Sequence, residues 1–415
     1  MVDKSAPLSP AQGEPVESVR QAILDRIFAV KQTETIALAN SLGRTLSEGV
    51  ICPFNVPAND NSAMDGFAFF LDEPNTAEQC FQIIGTVYAG KPWNGLIPKA
   101  GECLRIMTGG VMPAPCNTVV AQEFVQVDGS QITMPKGQSP GQNRRFAGED
   151  LAANQSALVA GKKIGPAEMG LVASLGIAKI TVYRRVKVAF FSSGDEILSL
   201  GEAPRDGCIY DSNRFTLIGM LSRLGVELID MGVIADNPIA LEAAVKLAAT
   251  QADVIISSGG VSVGAADHTR SIMQKLGEVT FWQIAMRPGR PMAFGKVHDA
   301  FYFGLPGNPV AVMITFYFFV KSALERLGGS LGSDLQSVSA ISQQAIRKRP
   351  GRTEYQRGQA SFNGSGQLVV TLTGQQGSGV LSSMSQANCI IVLAHNQSGI
   401  ETGDNVEVVL FEGLI

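Results

Sequence analysis

Five stretches of this sequence combine acids, glycines and arginines in patterns that suit binding of a metal ion and an anion. They are, in chain order, Ser192-Ser-Gly-Asp-Glu196, Asp236-Asn-Pro238, Ser258-Gly-Gly-Val-Ser-Val-Gly264 with Asp267, Arg287-Pro-Gly-Arg290 and Leu305-Pro-Gly-Asn-Pro309. Carboxylates supply the oxygen ligands that Mg²⁺ takes when it holds a phosphate. Glycine-rich backbone frees N–H groups for an anion, and arginine presents a planar fork that suits a tetrahedral oxyanion. Taken jointly, the stretches predict metal-assisted phosphate chemistry.

Other kinds of chemistry have no support in the sequence. The glycine stretch is not followed by the Gly-Lys-Ser/Thr of a Walker A loop, and it lacks the Rossmann glycine spacing. The three histidines, at 268, 298 and 395, show no Ser-His-Asp or Cys-His arrangement, and His268 is expected in the first turn of a helix. The six cysteines are scattered without a Cys-x-x-Cys pair, which argues against a zinc site and a disulfide framework and fits a reducing cytosol.

Each stretch also has a purely structural explanation. The explanations are helix N-caps for Asp236 and Asp267, a solvated first helical turn for Asp195-Glu196, tight packing for the glycines, surface charge for Arg287 and Arg290, and a strand stop and helix start for Pro306 and Pro309.

The elements that must position these stretches alternate between strand and helix from Lys187 onward. The predicted strands are Val186–Phe191, Glu227–Met231, Val254–Ser257, Val279–Ala285, Pro291–Phe294 and Phe301–Gly304. The predicted helices begin after Asp211-Ser-Asn213, at Asn237-Pro238, after Asp267, and at Pro309, the last running to Leu327. This alternation is typical of a doubly wound, mostly parallel sheet, in which ligands bind beyond the carboxyl ends of the strands. We therefore expect the five stretches to meet at one edge.

The rest of the chain predicts separate modules. Helical spacing from Glu14 to Val30 indicates a long amphipathic helix, and residues 80–135 alternate as a β-rich module with a hairpin at Asp128-Gly129 and a possible ligand-facing hydroxyl at Thr108. The last 80 residues alternate again and predict a small barrel. The length of 415 residues allows two to four domains, and the formal net charge of −4 gives no reason to expect nucleic acid or a membrane as a partner. The N-terminus has no signal-peptide pattern, so we expect a soluble cytoplasmic protein.

A series of motifs occurs in the same order as in a known protein family. The motifs are Asp60-Asn-Ser-Ala-Met-Asp-Gly-Phe-Ala68, Arg145-Phe-Ala-Gly-Glu-Asp150, Ser193-Gly-Asp-Glu196, Ile209-Tyr-Asp-Ser-Asn213, Ser258-Gly-Gly-Val-Ser-Val-Gly264 with Asp267, Arg287-Pro-Gly-Arg-Pro291, Gly304-Leu-Pro-Gly-Asn-Pro309 and Gly351-Arg-Thr-Glu-Tyr355. The chain resembles molybdopterin molybdenumtransferases (MoeA and the E domain of gephyrin) from about residue 15 to its end.

The resemblance implies a four-domain, elongated subunit. A helical linker domain would comprise residues 1–52 and 146–180. The other three domains would be a β-rich domain at 53–145, a molybdenum-cofactor α/β domain at 181–328 and a C-terminal β-barrel at 329–415. The family also implies a homodimer whose active site lies between the α/β domain of one subunit and the Asp60 loop of the other. The adenylyltransferase of the same pathway is a further expected partner.

The implied reaction takes adenylylated molybdopterin and molybdate, depends on Mg²⁺, and releases AMP. By resemblance, Glu196, Asp236 and Asp267 would serve the Mg²⁺ and the phosphate, while Asp60, Thr108 and Asp150 would complete the pocket from the partner side. Molybdate would be held by Arg287, Arg290, Arg352 and Ser378. The expected substrate-binding positions are Ser62, Thr108, Ser193, Gly194, Asp195, Gly259, Gly260, Ser262, Gly264, Pro306, Gly307, Asn308 and Pro309.

The sequence departs from the family in places. Arg287 and Arg290 stand where relatives often carry lysine, which keeps the charge but changes the geometry offered to an oxyanion. Gln283 stands where some relatives have another lysine, so its role is open, and Ala311 replaces a common serine. Three other functions stay open on the sequence alone: molybdopterin adenylyltransferase, a non-catalytic cofactor-binding scaffold, and a tungstate-selective enzyme.

Overall fold

The computed structural model describes residues 13–259, 266–332 and 335–414, with the backbone alone described at residues 266, 267, 413 and 414. Within these ranges the chain forms three six-stranded sheets and several two-stranded ones. Every described helix is too short or too polar to span a bilayer.

The N-terminal helix is shorter than predicted. Helix α1 covers Val16–Leu24 and buries Val16, Val19 and Ile23. The prediction of a helix through Val30 was wrong, because the chain leaves the helix after Leu24 and the Val30 amide donates instead to the carbonyl of Leu327, at 2.9 Å. Helical spacing identified the residues that are buried, but packing against a later helix determined the path of the backbone.

Short antiparallel pairs join residues 33–62 to residues 144–183. The pairs are strands β1 (Thr33–Ala37) with β12 (Lys179–Tyr183), β2 (Val50–Ile51) with β11 (Ser156–Leu158), and β3 (Asn61–Ser62) with β10 (Arg144–Arg145). Helix α2 (Pro166–Ser174) begins at a proline in its first turn, and its Val172 is buried with Leu46 and Ile180. Short strands, more than helices, therefore connect the two parts of this region.

The β-rich region is one six-stranded sheet. Its strands in chain order are β4 (Gly66–Phe69), β5 (Gln79–Val87), β6 (Glu102–Ile106), β7 (Thr118–Ala121), β8 (Gln126–Asp128) and β9 (Gln131–Met134), and their spatial order is β7-β4-β6-β5-β9-β8. The hairpin predicted at Asp128-Gly129 is confirmed, because β8 and β9 pair around it.

The doubly wound sheet predicted from Lys187 onward is also confirmed. Its strands are β13 (Lys187–Ser193), β16 (Glu227–Ile234), β17 (Val254–Ser258), β18 (Gly277–Gln283), β20 (Pro291–Val297) and β21 (Ala300–Leu305), in the spatial order β16-β13-β17-β21-β20-β18. The first four strands in this order are parallel, and β20 runs against both of its neighbours. Two short strands, β14 (Ile197–Leu198) and β15 (Ile209–Tyr210), pair beside the sheet.

Helices cover both faces of this sheet. They are α3 (Ser212–Leu224), α4 (Pro238–Gln251), α5 (Ala266–Leu276), α6 (Pro309–Thr315) and α7 (Lys321–Leu327), with a π-helical turn at Phe316–Val320 between the last two. The central strand β17 shows why both faces need cover. Val254 and Ile256 enter the core beneath α3 and α6, whereas Ile255 enters the core beneath α4 and α5.

The C-terminal region closes into a five-stranded barrel, as predicted. Its strands are β22 (Val338–Ser342), β23 (Thr353–Phe362), β24 (Leu368–Leu372), β25 (Cys389–Leu393) and β26 (Asn405–Leu410), accompanied by helices α8 (Leu381–Gln386) and α9 (Phe411–Leu414). Closure follows because β23 pairs with both β24 and β25. Strand β19 (Met286–Arg287) pairs with β23, so the barrel wall is attached beside the edge of the α/β sheet.

Candidate functional site

A cavity of about 770 Å³ lies at the carboxyl edge of the α/β sheet and extends to the barrel. Twelve residues singled out from the sequence line it: Ser193, Gly194, Glu196, Asp236, Gly259, Arg287, Arg290, Pro306, Gly307, Asn308, Arg352 and Ser378. Eight further lining residues were not selected as site residues. Ile209, Pro288, Gly289 and Pro291 stand in the recognised motifs and Ala311 was noted as a departure, whereas Met286, Gln376 and Gly377 were missed altogether.

The direction of the strands explains why distant residues meet here. Strands β13, β17 and β21 are parallel and end at Ser193, Ser258 and Leu305, so the residues that directly follow them, Gly194, Gly259 and Pro306, lie at one edge. Strand β20 runs the other way and begins at Pro291, which brings the preceding Arg287–Arg290 segment to the same edge. The expectation that the stretches converge is confirmed for their described residues, whereas residues 260–264 lie outside the described ranges.

The acidic wall of the cavity is formed by Glu196 and Asp236. The backbone amide of Asp236 lies 3.4 Å from Oδ1 of Asp195, so the two acid-containing segments are held side by side. Neither the Glu196 nor the Asp236 carboxylate forms a hydrogen bond or ion pair with another described residue. Both are therefore open to an oxygen-seeking cation, which is the donor chemistry that Mg²⁺ requires.

Two of the structural explanations fail at this wall. Helix α4 is capped by Asn237, whose Oδ1 accepts from the amides of Ile239 and Ala240, so Asp236 is not the cap. Asp195 and Glu196 precede the short strand β14 and are not in the first turn of a helix. Pro306 and Pro309 do stand where a strand ends and a helix begins, and Pro306 also lines the cavity.

The predicted third carboxylate can be placed only by its backbone. Asp267 lies in the first turn of α5, and its side chain is outside the description, as are residues Gly260, Ser262 and Gly264. In the described part of the chain, no three His, Cys, Asp or Glu side chains cluster closely enough to hold a metal. Of the three predicted metal-binding carboxylates, Glu196 and Asp236 are thus the two whose side chains the structure describes, and both line the cavity.

Glycine is required at two points where the backbone closes on the cavity. Gly259 has a φ of +93°, and a Cβ there would lie 2.6 Å from the carbonyl oxygen of Ser193. Gly194 has a φ of +150°, and a Cβ there would lie 2.5 Å from Oε2 of Glu196. A larger residue at Gly259 would push apart the ends of β13 and β17, whereas one at Gly194 would be strained by its positive φ and would displace the Glu196 side chain.

The basic wall is assembled by the pairing of β19 with β23. This pairing places Arg287 opposite Glu354, a carboxylate only 3% exposed. Arg352 donates from Nε to Glu354 at 2.9 Å, Gln356 donates at 3.1 Å, and Arg287 approaches at 4.0 Å. Glu354 therefore fixes Arg352 firmly and Arg287 more loosely, and the side chain of Arg287 stays 55% exposed toward the cavity.

A buried arginine that sequence reasoning missed holds the third wall. Arg357 is fully buried, and its guanidinium donates to the carbonyls of Gln375 and Gly377 and to the hydroxyl of Ser383, at 3.2, 2.9 and 2.9 Å. Burial, with a smaller contribution from Arg287, lowers the pKa of Arg357 to about 10. Arg357 thereby shapes the loop that carries Gln376, Gly377 and Ser378 into the cavity.

The start of helix α3 binds the ends of three strands together. The Asn213 amide donates to the Ser258 hydroxyl at 2.8 Å and to the Gly307 carbonyl at 2.7 Å, and Asp211 accepts from Ser192 at 3.0 Å. Oδ2 of Asp211, which caps α3, and Oδ1 of Asn213 are both buried without a hydrogen-bond partner among the described residues. The sequence analysis identified the motif Ile209-Tyr-Asp-Ser-Asn213, which contains Asp211 and Asn213, but it did not predict that these two side chains connect the strand ends.

The remaining predicted residues lie outside this cavity. Asp60 accepts from the Ala147 amide at 2.8 Å and pairs with Arg144, and these two donors hold the pKa of Asp60 below its usual range. Thr108 donates from both its amide and its hydroxyl to Asp65, at 2.7 Å each, which lowers the pKa of Asp65. The sequence motif contains Asp65, but the prediction did not select it as a site residue.

Four site predictions from outside the α/β sheet therefore remain separate from the cavity within one chain: Asp60, Ser62, Thr108 and Asp150. The predicted Asp195 and Pro309 do not line it either, although Asp195 contacts the Asp236 amide and Pro309 begins helix α6. Ser62 is buried and its hydroxyl donates to the Met64 carbonyl, whereas Asp150 is exposed. None of the four lines the 770 Å³ cavity.

Three family models match the chain in order. They describe the MoeA N-terminal region (domain I and II) at residues 14–176, a probable molybdopterin binding domain at 189–326 and the MoeA C-terminal region (domain IV) at 339–411. A molybdopterin molybdenumtransferase of Haemophilus influenzae is 38% identical over 403 residues, covering 96% of this chain and 99% of the relative. One from Nostoc is 32% identical over 410 residues, covering 95% and 94%.

A solved structure agrees with these sequence relatives. The crystal structure of the molybdopterin biosynthesis moeA protein from Pyrococcus horikoshii OT3 matches with a TM-score of 0.83 at 26% identity, covering 96% of this chain and 100% of that one. The similarity thus extends over the α/β sheet, the β-rich sheet and the barrel together.

Proposed function

This chain belongs to the MoeA family, and on that premise we propose that it is a molybdopterin molybdenumtransferase, which inserts molybdenum during molybdenum cofactor biosynthesis. Its substrates are molybdate and adenylylated molybdopterin, and AMP is released in a Mg²⁺-dependent reaction. One observation carries the proposal: a single cavity has Glu196 and Asp236 on one wall and Arg287, Arg290 and Arg352 on another.

The arginines reduce the electrostatic repulsion between the two anionic substrates of this reaction. Molybdate and the pyrophosphate of the pterin nucleotide are both anions, so they repel each other when they approach. Arg287, Arg290 and Arg352 lie where they offset that repulsion, and Ser378 adds a hydroxyl from the loop held by Arg357. The fork of each arginine is suited to two oxygens of a tetrahedral oxyanion.

The opposite wall suits the phosphate groups. The backbone at Gly194, Gly259 and Gly307 borders the cavity without side chains, which allows a phosphate to come close. Glu196 and Asp236 would hold Mg²⁺ together with Asp267. The ion would supply positive charge to the pyrophosphate group of adenylylated molybdopterin, whose bond is broken when AMP leaves. In this arrangement the carboxylates orient the nucleotide end and the arginines orient the oxyanion.

We further propose that the active enzyme is a homodimer with two intersubunit sites. The support is that Asp60, Ser62, Thr108 and Asp150 lie on ordered, hydrogen-bonded segments yet do not line the cavity of their own chain. A second subunit would bring its copies of these residues to the open side of the cavity. The adenylyltransferase of the pathway is the partner expected to deliver the substrate, and the six free thiols fit a reducing cytoplasm.

Mixing inactive variants tests the dimer directly. Asp60→Ala and Asp236→Ala should each abolish AMP release, whereas unfolding and refolding the two together should restore about one quarter of wild-type activity, because half of the dimers are mixed and each mixed dimer has one intact site. Mixtures that stay as inactive as their parents would refute the intersubunit arrangement.

The carboxylate assignments are tested by molybdate-dependent AMP release at varied Mg²⁺. Asp236→Asn and Asp267→Asn should reduce the rate by at least roughly a hundredfold, because a metal ligand is lost. Asp299→Asn is the matched control, since Asp299 is exposed and does not line the cavity, and it should behave like the wild type. Undiminished molybdate-dependent release by Asp267→Asn would refute the role given to that residue.

A further inference from the structure

A second cavity, of about 610 Å³, adjoins the first on the barrel side. Its lining consists of Arg287, Ala345, Ile346, Arg347, Lys348, Arg349, Arg352, Glu354, Gly399, Ile400 and Glu401. Arg287 and Arg352 line both cavities. The two spaces therefore share a pair of arginines as a common wall.

The charge of this second cavity is strongly positive. Five of its lining residues are cationic and two are acidic. Of the two acids, Glu354 is 3% exposed and already engaged by Arg352 and Gln356, which leaves Glu401 as the one exposed carboxylate in the lining. The positive charge of the lining therefore exceeds its negative charge, which favours the binding of a small anion.

The arginines that face this space are available to a ligand. Arg347 and Arg349 are exposed, and neither side chain forms a hydrogen bond or ion pair with another residue in the described ranges. Lys348 between them is different: its ammonium donates to the carbonyls of His395 and Gln397, at 3.2 and 2.7 Å. The lysine therefore holds the segment in place, while the two arginines beside it are unengaged among the described residues.

Backbone hydrogen bonds fix the position of this basic segment. Ile346 and Ile400 exchange two backbone hydrogen bonds, at 2.7 and 2.8 Å, and the Gly351 amide donates to the carbonyl of His395 at 2.9 Å. Together with the Lys348 contacts, they hold residues 346–351 against the loop at 395–401. A run of basic residues is usually a solvated surface, but this one is folded around a space.

We propose that this second cavity is a binding site for a small tetrahedral oxyanion, contacted by Arg347 and Arg349 and bordered by Arg287 and Arg352. Paired guanidinium forks match the oxygens of such an ion, and a cavity lined by basic residues concentrates it from solution. Because two arginines border both cavities, an oxyanion bound here waits next to the proposed reaction site. This last use of the site rests on the proposed function, whereas the binding itself does not.

The test counts molybdate bound per chain by equilibrium dialysis at low ionic strength, with bound molybdenum measured by mass spectrometry. The wild type should bind two ions per chain and the double variant Arg347→Ala/Arg349→Ala one, with the affinity of the affected site roughly tenfold or more weaker. Arg26→Ala is the matched control, because it removes one exposed arginine elsewhere, and it should still bind two. Two ions retained by the double variant, or one bound by the wild type, would overturn the proposal.

Two further arms keep the result interpretable. Inorganic phosphate and AMP are added as competitors: displacement of the second ion by AMP assigns the site to a nucleotide phosphate, and displacement by inorganic phosphate alone assigns it to a free oxyanion. In the turnover assay the double variant should show a raised KM for molybdate and an unchanged kcat. If the wild type releases no AMP at all, the proposed function fails, but the ion count still decides the second site.

Discussion

Replacing Asn213 by aspartate should loosen the floor of the main cavity. The substitution keeps the shape of the side chain but replaces the NH₂ group, which donates to the Ser258 hydroxyl and the Gly307 carbonyl, by an oxygen. The side chain is 7% exposed, so water cannot take over these contacts. The Gly307 carbonyl loses its donor and instead faces a second oxygen.

The magnitude follows from these contacts. An acceptor left buried without a partner costs about 1–3 kcal/mol, and burying the new charge adds to that. We expect a local loss of about 2–4 kcal/mol, which corresponds to roughly 30- to 1000-fold faster opening. Hydrogen exchange of peptides that cover residues 254–259 and 301–308 should report it, because these segments carry the two acceptors.

The effect should depend on pH with a definite sign. Burial and the facing oxygens raise the pKa of the new carboxyl above its unfolded value of about 4. The folded variant therefore binds a proton more readily than the unfolded one, and its deficit relative to the wild type is full above the raised pKa and shrinks as the pH falls. The protonated carboxyl can donate one of the two lost hydrogen bonds.

A matched control is available at the next helix. Asn237 also stands at a helix start, but it accepts hydrogen bonds through Oδ1, a role that aspartate fills equally well. Asn237→Asp should leave exchange in both peptides within about threefold of the wild type. Equal exchange in Asn213→Asp and the wild type at pH 8 would refute the clamping role of Asn213.

Three other predictions concern single buried or paired charges. Arg357→Lys keeps the charge but loses the planar fork, so thermal unfolding of the barrel should show a loss of about 2–4 kcal/mol together with weaker molybdate binding, and wild-type values for both would contradict the role of Arg357. Asp253→Asn should destabilise by about 1–3 kcal/mol at pH 7. Burial pushes the pKa of Asp253 up, but Arg184 and Lys187 together outweigh burial and hold that pKa below its ordinary value of 3.8. The stabilisation is therefore present above pH 3.8 and is lost as the pH falls, and calorimetry that shows a difference unchanged at pH 3 would be inconsistent with this. Asp60→Asn should weaken the contact with Arg144 by no more than about 1 kcal/mol. It should nevertheless lower AMP release more than tenfold, and normal turnover by this variant would disprove the role of Asp60 in the reaction.

The carboxyl edge of the α/β sheet could be predicted from the sequence because its signals are local. The run Val254–Ser258 is apolar and followed by glycine, so it indicated a buried parallel strand, and parallel strands necessarily bring their ends to one edge. Once that edge was known, Glu196, Asp236 and Arg287 were expected to meet. The structure places them in one cavity.

The interior supports could not be predicted in the same way. Arg357 lies in a barrel strand where an arginine normally points to solvent, and its burial depends on a loop 18 to 20 residues later that offers carbonyls. The role of Asn213 depends on two strand ends, 45 and 94 residues away, and no local pattern encodes such distances. The domain boundaries and the roles of individual site residues remain predictions.

The most direct test of the account is the product balance of the purified wild-type chain. Adenylylated molybdopterin is incubated with Mg²⁺ and varied molybdate, and both AMP and molybdenum bound to the pterin are measured by mass spectrometry. The account predicts no AMP release without molybdate and, with molybdate, one AMP for each molybdenum inserted. AMP released at the same rate without molybdate, or molybdenum inserted without AMP, would contradict it.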